Sequence, residues 1–186
     1  MVPMRLFIAI DLPKAIEKRI GEMEAELGRW GFDVKYVEPW SLHLTLKFLG
    51  EVDDSLVPEI ERKVEGIVRD IENFKAEIKG FGFFGSGNHV RVLWLGITEG
   101  KERLVEIIEK LNAELDYIRK DDYKPSPHLT IGRVRSGKDR HIILREIEKL
   151  KDVEIGWIGV KSIKLKKSQL SAKGPSYSDV KAFPLK

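Results

Sequence analysis

One combination of histidine and threonine occurs twice in this sequence. The stretch SLHLT contains His43 and the later stretch SPHLT contains His128, and in both a threonine follows two residues after the histidine. Chance repetition of this spacing is improbable, because the chain has only four histidines and three threonines. The other histidines, His89 and His141, have no such neighbour, and we interpret them as surface residues. The doubled motif is therefore the first candidate for a functional site.

Paired histidine and threonine side chains suit chemistry on a phosphodiester. An unperturbed histidine titrates at about pH 6.5, so one imidazole can accept a proton while a second donates one. The hydroxyls of Thr45 and Thr130 can donate hydrogen bonds to the non-bridging oxygens of a phosphate as charge builds on them. The motifs therefore predict a metal-free reaction in which one histidine activates water or another hydroxyl and the other protonates the leaving alkoxide.

Other chemistries fit the sequence less well. A single histidine in a strand is most often a packed or surface residue without a role, but the repetition argues against this interpretation. Two histidines can also bind zinc, which would need a carboxylate ligand, and neither motif has Asp or Glu on its polar face. The chain has no cysteine, no Walker-type phosphate-binding loop and no Gly-x-Gly-x-x-Gly motif opening a helix. We therefore expect no metal and no cofactor.

The elements that must position the motifs are predicted to form two copies of a β-α-β-α-β unit. Short apolar runs indicate buried strands, and apolar residues at helical spacing indicate amphipathic helices. The predicted helices are 13–28, 55–71, 101–118 and 139–149. The predicted strands are RLFIAIDLP, VKYVEPW, SLHLTLKFLG, FKAEIKGFGFF, VRVLWLGIT, SPHLTIGRV and VEIGWIGV, followed by a strand pair, VKSIKLKKSQL and YSDVKAFPL.

These copies are expected to form one bilobal domain over residues 1–186. Its halves, roughly 1–87 and 88–159, would face each other across an approximate two-fold axis with a groove between them, and 160–186 would add the strand pair. Residues 151–186 carry eight lysines against three acidic residues. Such a segment is either a solvated strand face or a rim that attracts an anionic substrate.

Length and composition indicate an ordinary globular protein. The chain has 186 residues, of which 42% are apolar, enough to fill a sizeable core. No apolar run approaches the roughly 20 residues that span a bilayer, and the N-terminal stretch lacks the features of a signal peptide. We therefore expect a cytoplasmic protein without membrane contact. The high charged fraction of 34%, with a single glutamine, favours a hyperthermophilic source.

The sequence resembles the 2H phosphoesterase superfamily, whose members carry paired His-x-Thr-x motifs like HLTL and HLTI here. The stretches RLFIAIDLP, HLTLKFLGEV, PHLTIGRV and SQLSAKGPSY are similar to those of the bacterial and archaeal RNA 2',3'-cyclic phosphodiesterases, also called 2'-5' RNA ligases. The resemblance covers nearly the whole chain in the right order. It implies a bilobal α+β fold in which duplicated β-α-β-α-β units place antiparallel sheets around a central cleft.

The resemblance also implies an activity, the metal-independent opening of RNA 2',3'-cyclic phosphate ends to leave a 2'-phosphate. It assigns His43 as the proton donor to the departing 3' oxygen and His128 as the proton acceptor from water, and the order of these two roles rests on resemblance alone. Thr45 and Thr130 would bind the phosphate. With an RNA 5'-hydroxyl in place of water, the same site would form a 2'-5' bond, with tRNA halves as candidate partners. We expect a monomer.

The residues that follow each motif can be assigned to a face of the strand by the alternation of side chains. Arg133 matches an arginine that often follows the second motif in the family and would pair with phosphate. Strict alternation puts Arg133 on the face opposite His128 unless Gly132 permits a bulge, and the alternative is a surface or structural ion pair. The same alternation predicts that Lys47 shares the face of the first histidine and that Phe48 belongs to the core.

Three further residues are weighed as substrate contacts. Ser168 lies in a stretch like the family's S-x-L segment, and a simple strand serine is the alternative. Tyr36 and Trp40 would either stack on a base or pack. Two rival functions also stay open: a diesterase for another substrate, such as ADP-ribose 1'',2''-cyclic phosphate or 2'-5' oligoadenylate, and a non-catalytic RNA-binding module.

Overall fold

Nine β-strands occur in the part of the chain that this computed structural model describes, residues 3–86, 89–136, 140–171 and 174–186. They are β1 (Met4–Asp11), β2 (Val34–Tyr36), β3 (His43–Val52), β4 (Phe74–Ser86), β5 (His89–Ile97), β6 (His128–Val134), β7 (Glu154–Val160), β8 (Ser162–Ser171) and β9 (Gly174–Pro184). Sheet 1 has the order β3-β1-β8-β9, and sheet 2 has the order β2-β6-β5-β4-β7. Every pairing is antiparallel, so the predicted α+β class with antiparallel sheets is confirmed.

Four α-helices of the described residues cover these sheets. They are α1 (Lys14–Gly28), α2 (Val57–Val68), α3 (Lys101–Glu114) and α4 (Arg140–Lys149). Helix α2 contacts β9 and α3 contacts β3 in sheet 1, whereas α1 contacts β7 and α4 contacts β4 and β5 in sheet 2. Each helix buries an apolar stripe against its sheet and so fixes which face of that sheet is the core face. None of the described helices is long and apolar enough to cross a membrane.

The strands and helices of the two sequence halves interlock. β4, which follows the first motif, pairs with β5 and β7 in sheet 2, and β8 and β9 return from the C-terminal segment to complete sheet 1. The helices cross in the same way, since α1 packs on sheet 2 and α3 packs on sheet 1. Consecutive antiparallel strands readily become neighbours, which explains why β4 joins β5. The two motif strands, β3 and β6, are therefore held in different sheets.

Several predicted elements are shorter in the structure. The predicted strand VKYVEPW is limited to Val34–Tyr36, because Pro39–Ser41 forms a 3-10 turn that leads directly into the first motif. The predicted helix 55–71 begins with a 3-10 turn and has α2 as its regular part. The predicted helix 101–118 ends as α3 at Glu114. The start of the predicted helix 139–149 lies partly outside the described residues.

Candidate active site

Both motif histidines are held by the same kind of hydrogen bond. Nδ1 of His43 lies 2.8 Å from the carbonyl oxygen of Ser41, and Nδ1 of His128 lies 2.7 Å from that of Ser126. Because a carbonyl only accepts, we assign the proton of each neutral ring to Nδ1 and leave Nε2 as the basic nitrogen. Neither Nε2 has a hydrogen-bond partner among the described residues. Each imidazole is therefore oriented with one nitrogen free for proton transfer.

On sheet 1, Thr45 lies on the same face as His43. His43 is opposite Asp11 and Thr45 is opposite Ala9, and these two partners are two residues apart in β1. Residues opposed across antiparallel strands point to the same face, as do residues two apart in one strand. Thr45 is partly buried, and its hydroxyl has no hydrogen-bond partner in the described part of the chain. The first motif thus presents an imidazole and a free hydroxyl to one surface.

Sheet 2 presents the second motif in the same way. His128 is opposite Gly96 and Thr130 is opposite Trp94, again two residues apart on the neighbouring strand, β5. Thr130 is partly buried, and no described residue is hydrogen-bonded to its hydroxyl. The local similarity of the two sequences is therefore matched by a local similarity of structure, including the serine carbonyl that orients each ring.

A β-bulge in β6 decides the place of Arg133. The register of β6 shifts between Thr130 and Gly132, which leaves Ile131 as an extra residue. Arg133 consequently pairs with Val92 and lies on the same face as Thr130. Of the two alternatives left open by the sequence, the bulge beside Gly132 is the one found, and Arg133 makes no ion pair within the described residues. Its guanidinium is available to an anion on the motif face.

An equivalent bulge in β3 contradicts two predictions made from the sequence. The register shifts between Thr45 and Lys47, which leaves Leu46 as an extra residue. Lys47 therefore turns to the core face, where it is 2% exposed, and Phe48 lies on the face of His43 with 50% of its surface exposed. The predicted places of Lys47 beside His43 and of Phe48 in the core are both wrong, because one extra residue inverts the alternation.

The two motif faces meet between the sheets. Strands β3 and β6 contact each other although they belong to different sheets. Tyr177 of sheet 1 packs edge-on against His43, with 5.0 Å between ring centroids. Burial raises the pKa of Tyr177, and the positive charge of Arg133 in sheet 2 opposes this rise across the cleft. Because Arg133 shares its face with His128 and Thr130, the structure brings the predicted site residues of both motifs to one region.

Aromatic rings shield both imidazoles from water. Phe7 and Tyr177 pack against His43 with ring centroids 4.8 and 5.0 Å away, and Phe84 packs edge-on against His128 at 4.7 Å. Burial accordingly lowers the pKa of both histidines, because it disfavours the charged imidazolium. The hydrogen bonds to the serine carbonyls favour the charged rings and oppose this lowering. Both rings are therefore biased towards the neutral form before a substrate binds.

Four charged side chains form a closed network beside His43. Asp11, which faces His43 across the strands, contacts Lys164 at 2.6 Å and Lys166 at 2.7 Å. Both lysines also contact Asp179, at 2.5 and 2.6 Å. The charge of Lys166 adds to the lowering of the pKa of His43, and the charge of Asp11 opposes it. Part of the lysine-rich C-terminal segment is thus paired within the sheet instead of being free to attract an anion.

Both histidine rings are expected to titrate below the reference pKa of 6.5 in the free protein. Long-range proton–nitrogen NMR spectra should show each neutral ring with its proton on Nδ1. Inorganic phosphate should raise both pKa values, because an anion in the cleft stabilises the imidazolium. A neutral ring protonated on Nε2, or a titration above 6.5 without phosphate, would contradict the assigned hydrogen bonds or the effect of burial.

The remaining residues weighed from the sequence lie outside these contacts. Tyr36 is packed against the core with its hydroxyl buried, whereas Trp40 is 72% exposed. His89 is exposed, so its predicted surface location is confirmed. The side chain of His141 lies outside the described residues. Within those residues, no three His, Asp or Glu side chains are grouped closely enough to hold a metal ion.

Several groups around the site carried no usable sequence signal. Phe7, Phe84 and Tyr177 come from three strands far apart in the chain, and nothing in their spacing marks them among the other strand aromatics. The serine carbonyls did leave a signal, because Ser41 and Ser126 precede their histidines by the same two residues. The repeated feature is the backbone geometry of the residues just before each histidine, because the serine binds the imidazole through its carbonyl and not through its hydroxyl.

The sequence pattern of the 2'-5' RNA ligase superfamily matches residues 12–163, which include both His-x-Thr motifs. The chain belongs to this superfamily. An RNA 2',3'-cyclic phosphodiesterase of Methanocaldococcus jannaschii is 38% identical over 181 residues, covering 97% of this chain and 100% of that protein. One of Methanothermobacter thermautotrophicus is 35% identical over 185 residues, covering 98% and 99%. A crystal structure from Thermus thermophilus has a TM-score of 0.82 at 27% identity, covering 98% of each chain.

Part of the structure around the site lies outside the residues that the superfamily pattern matches. Residues 12–163 exclude β1 and nearly all of β8 and β9, the strands that supply Phe7, Tyr177 and the charge network. The two archaeal relatives, in contrast, align over nearly the full length of this chain. The superfamily pattern therefore covers the two motifs, and the surface of sheet 1 next to His43 has to be interpreted from the structure itself.

Proposed function

We propose that the chain hydrolyses RNA 2',3'-cyclic phosphate ends and leaves a 2'-phosphate. The proposal is carried by the matched imidazoles, since His43 and His128 each have Nδ1 bound to a carbonyl and Nε2 free, on strands that contact each other. One protonated and one neutral imidazole are the acid and base that opening a cyclic diester requires. The activity named for the two archaeal relatives supports the same substrate.

In the proposed reaction, His128 removes a proton from water as the water oxygen attacks phosphorus. The bond between phosphorus and the 3' oxygen breaks, and His43 donates its Nε2 proton to that oxygen, so that one water molecule is added to the diester. Thr45 and Thr130 donate hydrogen bonds to the non-bridging oxygens, and Arg133 offsets their charge. Burial lowers the pKa of His43 in the free protein, and a bound phosphate would raise that pKa and favour the protonated donor.

The same site supports a ligation without a nucleotide cofactor. An RNA 5'-hydroxyl in place of water would lose its proton to the same histidine and attack phosphorus. The bond between phosphorus and the 3' oxygen would break, His43 would protonate that oxygen, and a 2'-5' bond would remain. The candidate partners are tRNA halves. Both imidazoles belong to one chain, so the proposal requires only a monomer. They also supply the acid and the base directly, which is why no step is assigned to a metal.

An oligoribonucleotide with a 2',3'-cyclic end, incubated with the protein in excess EDTA, is expected to give a terminal 2'-phosphate. Digestion to nucleosides and mononucleotides, followed by chromatography against 2'-phosphate and 3'-phosphate standards, distinguishes this product from the 3'-phosphate isomer of the same mass. An unchanged end, or turnover abolished by the chelator, would contradict the proposed metal-free reaction. A parallel panel with ADP-ribose 1'',2''-cyclic phosphate and 2'-5' oligoadenylate is expected to react more slowly, and RNA binding without turnover would indicate a non-catalytic module.

A further inference from the structure

We propose that sheet 1 carries a second phosphate subsite centred on Arg5, which binds the internucleotide phosphate on the 5' side of the terminal nucleoside. This inference rests on the proposed function and deepens it, because it makes the substrate an RNA strand and not a cyclic mononucleotide. The subsite would be a continuation of the motif face, and Arg5 and Ser168 lie outside residues 12–163.

Arg5 lies on the face of sheet 1 that carries His43. It is opposite Glu51 in β3 and opposite Ser168 in β8. Because alternate residues of β1 share a face, Arg5 and Asp11 lie at opposite ends of the same surface. Ala9 lies opposite the motif threonine, Thr45. Arg5 is four residues away from Ala9, or roughly 13 Å in an extended strand. A nucleoside and the long arginine side chain can together fill this gap.

A pocket lies beside Arg5. The pairing of β1 with β8 begins at Arg5 and Ser168, so Met4 and Gln169, which lie beyond this pair, are not paired with each other. The resulting pocket has a volume of about 280 Å³. Its lining includes Gln169 and Leu170 as well as Arg5 and Ser168, and the Leu170 side chain is 68% exposed. Glu51 also lines the pocket, and its carboxylate opposes an anion there. The two cations, the amide, the hydroxyl and the apolar groups outnumber this carboxylate and provide the contacts that a phosphate with its attached sugar or base needs.

The charge of Arg5 is not neutralised by any carboxylate in the described part of the chain. Its exposed guanidinium has no ion pair among the described residues, even though Glu51 is its partner across the strands. Lys167, which also lines the pocket, is likewise without an ion pair there. In contrast, Lys164 and Lys166 on the same strand are both tied to two carboxylates. The free cations of sheet 1 are thus concentrated at the pocket.

The surface between the motif and the pocket is aromatic. Phe48 is half exposed and lies opposite Phe7. Phe7 is midway along β1 between Ala9, which is opposite Thr45, and Arg5. Tyr177 lies opposite Ser168 and is close enough to Arg5 for that charge to oppose the rise in its pKa that burial causes. The rings provide an apolar surface for the terminal nucleoside, and Arg5 lies where its 5' phosphate would emerge.

Three substrates that end in a 2',3'-cyclic phosphate test this subsite: a mononucleotide, a dinucleotide, and the dinucleotide with a neutral methylphosphonate linkage. In the wild-type protein, kcat/KM is expected to be about fivefold higher for the normal dinucleotide than for the other two, a gain at the upper end for an exposed charge pair. Arg5→Gln should remove this advantage and leave the mononucleotide rate unchanged. The variant should also make the two dinucleotides equal, because the arginine and the linkage charge act as one coupled pair.

Arg62→Gln is the matched control, because Arg62 is exposed on α2, which covers the opposite, core face of sheet 1. It should retain the full dinucleotide advantage. Equal rates for the three substrates in the wild type, or an Arg5→Gln loss that also affects the mononucleotide, would overturn the subsite while leaving the proposed function intact. Absence of turnover on every substrate would instead overturn the proposed function. The subsite could then still be tested by calorimetry with product dinucleotides that end in a 2'-phosphate. Tighter binding of the normal linkage than of the methylphosphonate linkage would support it, and equal binding would contradict it.

Discussion

Replacement of either His43 or His128 by alanine is expected to lower kcat on RNA 2',3'-cyclic ends by about a thousandfold. Each ring supplies one of the two proton transfers, and a positioned general acid or base contributes about 10² to 10⁴ in rate. Among the described residues, neither ring makes a hydrogen bond beyond its contact with a serine carbonyl, so both variants should fold normally. The measurement is single-turnover hydrolysis at saturating enzyme, with circular dichroism to verify the fold.

His89→Ala serves as the control, because His89 is exposed on β5 and should be dispensable. A substrate with sulfur in place of the 3' oxygen separates the two histidine roles. A thiolate needs no protonation to leave, since a thiol has a pKa of about 8.5. His43→Ala should therefore recover most of its activity on the sulfur substrate, whereas His128→Ala should not. Recovery by His128→Ala instead would reverse the assigned donor and acceptor, and full activity of either variant on the normal substrate would refute the mechanism.

The helices and strands were largely predictable, because local sequence patterns determine them. Alternating and helical apolar patterns identified the strands and helices, with errors mainly at element ends. What the patterns could not give is which strands pair. The entry of β4 into sheet 2 and of β8 into sheet 1 depends on tertiary contacts, and residues far apart in the chain supply them. The duplicated sequence predicted two similar units, and the structure shows the strands of the first unit divided between the sheets.

The site was predictable where it depended on repetition and was not predictable where it depended on register. The repeated spacing identified His43 and Thr45 with their counterparts. The period-two rule then failed after the threonine, because a bulge adds one residue to each motif strand. The rule misplaced Lys47 and Phe48 and left Arg133 undecided. A glycine gave a hint of the bulge in β6, but the equivalent position of β3 is Lys47, so that bulge had no local signal.

The burial of Lys47 leads to the second large effect. Its Nζ donates to Oδ1 of Asn112 at 2.9 Å, to the carbonyl of Arg119 at 3.0 Å and to Oδ2 of Asp121 at 2.8 Å. These partners lie on α3 and on the segment after it, which leads to the second motif. The lysine next to the first motif thus anchors the chain that approaches the second one. Its bonds couple the positions of the two motif strands.

Lys47→Met is expected to lower the free energy of unfolding by about 3 kcal/mol, at the low end for breaking a buried ion pair because Asp121 keeps some contact with water. In a domain of this size the melting temperature should fall by about 6–12 °C. Methionine fills similar volume, so the loss would come from the unpaired carboxylate and carbonyl and not from a cavity. Thermal and urea unfolding, followed by circular dichroism, measure the change.

Lys63→Met is the matched control, since Lys63 also binds helix α3, through Glu114 at 3.0 Å, but at a more exposed site. Its effect should be within the error of the measurement, because exposed ion pairs contribute little. Asp121→Asn combined with Lys47→Met should cost less than the sum of the single changes, as expected for two groups that interact directly. Strict additivity, or equal losses for the two lysine variants, would show that Lys47 is buried without serving as an anchor between the motifs.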